Sequence, residues 1–160
     1  MAPHGQRIPI LYRIFLLYVE PFFSLMGAFY AGVRPRAYLQ LTDLRSAPLM
    51  DIPVGTEVVL RQLANLYLLF ALNEAVVLRV TDDIRVWRAL LVGLLIADFG
   101  HLYSLLPLGL DVYWKVHHWT EMDWGNVAFV YFGAATRIAF LTGVGFSARS
   151  STIDGQRKAK

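Results

Sequence analysis

Asp98 and His101 sit in the apolar stretch LLVGLLIADFGHLYSLL, residues 90–106. At a spacing of i and i+3 they share one face of a helix. A carboxylate at the centre of a membrane span costs about 2.5–3.5 kcal/mol on the insertion scale, so it faces a protein interior and marks a functional site by default. Two further charges fall near the middle of other apolar runs: Glu20 in residues 8–33 and Arg137 in residues 126–146. At 1.5 Å rise per residue, Glu20, Asp98 and Arg137 reach one common level. Two carboxylates against one guanidinium leave an excess of acid, so one carboxyl is expected to keep its proton. A buried acid in an apolar cavity protonates an alkene or epoxide, or shifts a double bond through a carbocation. Aromatic faces stabilise such a cation, and Tyr67, Phe70, Tyr103, Tyr131 and Phe132 are the candidates. The structural alternative is an ion-pair network that fixes helix register.

These residues need helices to hold them, and the composition says where. The chain has 160 residues, 56% hydrophobic and 17% charged, with a mean hydropathy of +0.46. Soluble domains average about 45–50% apolar and about 25% charged. The expected fold is all-α, a single integral membrane domain built as a four-helix bundle. Its expected spans cover about 8–33, 57–78, 87–106 and 126–146, with a polar cytosolic tail at 147–160. A signal peptide fits the first run poorly, because Glu20-Pro21 interrupts it. The chain has no cysteine, which excludes disulfides, thiolate metal sites and thiol nucleophiles. A net charge of +3 does not indicate nucleic acid here, since Lys and Arg collect in cytosolic segments of membrane proteins.

In chain order, the first span places Arg13, Glu20, Ser24, Gly27 and Ala31 on one stripe, where small residues admit a close neighbour. Residues 34–56 form a proline-rich loop whose leucines and Met50 either lie on the membrane surface or belong to an ordinary loop. In the second span Asn65 and Asn73 are expected to join helices through their amides. Glu74 lies toward the cytosolic end, as a further acid or an interfacial residue. Thr81, Asp82 and Asp83 cap the third span, and Trp87 is expected as an interfacial anchor. Residues 111–126 carry Trp114, Trp119, Trp124, His117, His118, Glu121 and Asp123. They read as an aromatic belt or as a lid, and no metal-binding spacing is present. The fourth span puts Asn126, Gly133 and Arg137 on one face. With four spans, Arg7, Arg13, Arg79, Arg85, Arg88, Arg149, Arg157, Lys158 and Lys160 fall on one side. That places both termini in the cytosol, and the endoplasmic reticulum is the expected membrane.

The segments LYRIFLLYVEP, RQLANLYLLFALNEA, VWRALLVGLLIADFGHLYSL and DWGNVAFVYFGAATRIAFLTGVG resemble a family of small fungal membrane proteins, a domain of unknown function with four spans. The resemblance runs from about residue 11 to residue 145. It implies a fungal source and a biosynthetic gene neighbourhood but no established chemistry. In architecture alone the chain is similar to the sterol-isomerase-like four-span fold and to the membrane cyclases of fungal meroterpenoid pathways, which also use intramembrane acids.

The expected activity is therefore a cofactor-independent cyclase or isomerase of an isoprenoid, sterol-like or polyketide lipid in secondary metabolism. Asp98, Glu20, His101, Arg137 and Glu74 are its catalytic candidates. Asn65, Tyr67, Phe70, Tyr103, Asp123, Asn126 and Tyr131 are its substrate-binding candidates. The expected partners are the lipophilic substrate and membrane lipid, with a homo-oligomer left open and no nucleic acid. The second reading is a non-catalytic scaffold or lipid-binding accessory protein. A channel or proton-coupled transporter is a third, and it needs an oligomer to form a pore.

Overall fold

The first apolar run winds into helix α1, Ile10–Val33, and a computed structural model describes it together with the rest of residues 7–146. The polar tail expected at 147–160 lies outside the described residues. Pro21 has no N–H to donate to the preceding turn. The helix widens just before it into a π-type turn at Phe15–Val19. The Leu17 carbonyl, four residues before the proline, accepts instead from the guanidinium of Arg79 at 3.4 Å.

Every regular element among the described residues is helical. Helix α2, Pro35–Thr42, lies in the stretch read from the sequence as a loop. Its proline occupies the first turn, where the missing donor costs nothing and φ is already helical. Helix α3 runs Val54–Leu72 and continues through a second π-type turn, Asn73–Val77. Helix α4, Ile84–Ser104, starts at Asp83, whose side chain accepts from the backbone N–H of Arg85 at 2.9 Å. Three short 3₁₀ turns then carry the chain to helix α5.

Helix α5 comprises Glu121–Asp123, a third π-type turn at Trp124–Ala128, and Phe129–Thr142. It begins about a turn before the expected position 126, because Thr120 and Asp123 form a reciprocal capping box. The Thr120 hydroxyl accepts from the Asp123 N–H at 3.2 Å, and the Asp123 carboxylate accepts from the Thr120 N–H at 2.8 Å. Thr120→Ala should therefore cost about 1 kcal/mol, read as a lower midpoint in thermal unfolding of the purified protein.

α1 packs along α3, and α4 along α5. The hydrophobic core gathers at the end where α1 begins. Tyr12, Leu16, Leu78, Trp87, Leu91 and Phe140 are buried there. The Phe140 ring stands edge-on to Tyr12, with centroids 5.1 Å apart, and stacks on Trp87 at 5.9 Å. Trp87 is thus not an interfacial anchor: it is fully buried, and its indole N–H donates to the Thr81 carbonyl at 2.8 Å. Two helices, Ile10–Val33 and Ile84–Leu108, are long and apolar enough to cross a membrane.

Candidate functional site

Each of the four long helices contributes one charged side chain to a single buried cluster. Glu20 comes from α1, Glu74 from α3, Asp98 from α4 and Arg137 from α5. The Arg137 guanidinium donates through Nη1 to Asp98 at 2.9 Å, and through Nη2 to Glu74 at 3.3 Å and to Glu20. Arg137 is 2% exposed, Glu20 7% and Glu74 1%. Three carboxyls thus share one guanidinium. The second carboxyl oxygens of Glu20 and Glu74 and the Nε of Arg137 are buried without a hydrogen-bond partner among the described residues.

Local backbone geometry places two of these acids. Glu20 directly follows the π-type turn of α1, and Glu74 sits inside that of α3. Such turns add one residue to a helical turn and recur at functional sites. Gly133, one helical turn before Arg137, leaves the space the guanidinium occupies. A Cβ there would lie 2.6 Å from Arg137 Nη1 and 3.5 Å from Glu20 Oε1. Gly133→Ala should displace the guanidinium and cost about 1–3 kcal/mol of stability, the range for overpacking a buried site. Gly125→Ala, where nothing lies within 4 Å of the new Cβ, is the control in the same thermal-unfolding measurement.

The cluster forms one end of a cavity of about 520 Å³. Tyr67 and Phe70 of α3, Phe129 and Trp124 of α5, and Phe23 and Tyr30 of α1 line its walls. His101 opens onto it one turn along α4 from Asp98. Its ring contacts the backbone of Asn126, and its Nε2 is buried with no partner among the described residues. At the other end, α2 brings in Tyr38 and Leu41. The Tyr38 and Tyr67 hydroxyls stand 3.3 Å apart. Burial pushes the Tyr38 hydroxyl above its ordinary value, against a smaller lowering by its contact with Tyr67, so it keeps its proton at neutral pH.

The family described as a domain of unknown function, DUF7704, matches residues 5–147. The chain belongs to that family. No curated protein and no solved structure matches it. All four charged residues of the cluster, and every residue lining the cavity, fall inside the DUF7704 match.

Within this DUF7704 domain, Glu20, Glu74, Asp98, His101 and Arg137 line one cavity together with Tyr67, Phe70 and Asn126. Four other substrate-binding candidates lie elsewhere. Asn65 is exposed on α3 and does not line the cavity. Tyr103 is 74% exposed. Asp123 is committed to the capping box. Tyr131 is exposed and donates to the Tyr113 carbonyl at 3.3 Å. The exposed ring of Phe132 also stays outside the cavity. Sequence reasoning missed Tyr30 and Tyr38. Pro35 followed by Tyr38 and Leu41 at helical spacing is the signal that marks α2.

Proposed function

We propose that this chain is an integral membrane protein of four spans, and that its acid cluster isomerises or cyclises a lipophilic substrate without a cofactor. The membrane reading rests on inverted polarity. Charged groups are buried inside, while apolar side chains cover the outside of all four long helices: Phe22 and Phe29 on α1, Val59 and Leu69 on α3, Ile96 and Phe99 on α4, Phe132 and Ile138 on α5. An exposed apolar surface on this scale marks contact with lipid or a partner. The bundle would sit in the endoplasmic reticulum with both termini cytosolic, by the distribution of Lys and Arg.

One observation carries the catalytic reading: an aromatic-walled cavity ends at Asp98, Glu20 and Glu74, whose carboxyls outnumber the single cation they share. An unbalanced charge in hydrocarbon is costly, so the surplus carboxyls hold protons and supply acid. Asp98, on the cavity wall, delivers a proton to an alkene or epoxide. The resulting cation rearranges or closes a ring against the faces of Tyr67, Phe70, Trp124 or Phe129. It then loses a proton to a carboxylate of the same cluster, so the cluster ends the cycle with the protons it began with. Arg137 holds the acids in register, and His101 relays protons along the α4 face.

The second reading, a scaffold or lipid-binding accessory protein, is favoured by the contact every carboxyl makes with Arg137. Expression in a lipid-rich host, with untargeted metabolite comparison against Asp98→Asn, separates the two. A new lipid isomer that disappears in the variant supports catalysis. Identical lipid profiles with a folded variant support the scaffold.

A further inference from the structure

The two tyrosine hydroxyls at the far end of the cavity form an incomplete hydrogen-bonding pair. Two phenols carry two donor hydrogens. A contact between them uses one and leaves the other without an acceptor. Neither hydroxyl makes another hydrogen bond among the described residues. Their separation of 3.3 Å is also long for O–H···O, which centres near 2.7–2.8 Å. The pair therefore has the capacity to donate to a third oxygen placed between or beside its members.

The fold supports this position from both sides. Tyr67 stands over Gly27 of α1, where a Cβ would lie 3.2 Å from its ring. Tyr38 is presented by the connecting helix α2. Both tyrosines line the same cavity as the acids. Tyr67 precedes Glu74 by seven residues on α3, a rise of about 10 Å along the helix.

We propose that Tyr38 and Tyr67 bind an oxygen atom of the substrate, which makes the substrate class a lipophile with a hydroxyl or carbonyl oxygen remote from the carbon that the acid cluster protonates. This rests on the reading of the cavity as a lipid pocket. The tyrosines position the substrate, and the chemistry stays at the acids.

The test uses the full chain in detergent micelles and two probes, the isoprenoid alcohol farnesol and its hydrocarbon counterpart farnesene. Binding is followed by tryptophan fluorescence, since Trp124 lines the cavity. Each probe's affinity is corrected for its partition into the same micelles, measured without protein. The native chain should prefer farnesol by about 5–10-fold, the value of one added hydrogen bond. Tyr38→Phe with Tyr67→Phe should bring that preference within about twofold and leave farnesene affinity unchanged. The preference of the native chain is read independently of the double variant and decides the question if that variant does not fold. Equal affinity of the native chain for both probes overturns the proposal, as does an undiminished preference in the double variant. Either result leaves the lipid pocket standing. Failure of the native chain to bind either probe removes both.

Discussion

Arg137→Met should lower the stability of the purified protein by about 3–5 kcal/mol, the cost of removing one partner from a buried ion pair. Methionine keeps the apolar stem of the side chain but leaves Glu20, Glu74 and Asp98 without their common cation. The direction reverses if the acids are removed as well. Arg137→Met combined with Glu20→Met, Glu74→Met and Asp98→Leu should recover most of the loss, because a buried ionic cluster replaced as a whole by hydrophobic residues of similar volume is close to neutral in stability. Thermal unfolding of the single and the fourfold variant in the same detergent checks this. A fourfold variant no more stable than the single one would show that the cluster does not act as one electrostatic unit.

Asp98→Asn should reduce product formation by about 10²–10⁴-fold, the usual contribution of a positioned general acid. The amide keeps the shape of the side chain and its contact with the Arg137 guanidinium through the carbonyl oxygen, but it has no acidic proton to give. Its effect on stability should be small beside that of Arg137→Met, since it removes an excess acid and leaves the cation facing Glu20 and Glu74. Turnover falling far while the unfolding midpoint barely moves is the signature of a catalytic acid. A register-fixing acid would give the opposite pattern.

Glu20, Asp98 and Arg137 were legible as partners because a charge in an apolar run has few places to go, and counting residues gave all three the same height. Glu74, expected toward one end of its span, meets Glu20 because the helix ends are not level with one another: Arg79, just past the end of α3, reaches Leu17, seven residues into α1. The end of α3 therefore sits deep in the bundle and carries Glu74 to the level of Glu20.

Asn65, Tyr103 and Tyr131 lie outside the cavity for another reason. A helix that is apolar on its outer face as well as its inner one gives no hydrophobic phase, so the sequence supplies spacing but not the direction of the interior. Small residues were the better guide. Gly27 and Gly133, on the stripes read from the sequence, lie directly against Tyr67 and Arg137. Helix α2 is hard to read because its eight residues lie among prolines and show only the Pro35, Tyr38, Leu41 spacing.

Proton donation from the buried cluster to carbon leaves an isotopic mark. Membranes from a host expressing the native chain are incubated with that host's neutral lipids in D₂O. The expected product is a lipid isomeric with a host lipid that carries one carbon-bound deuterium, formed at least about 100-fold less with Asp98→Asn. Equal deuterium incorporation in a folded Asp98→Asn variant, or no such isomer from the native chain, would contradict it.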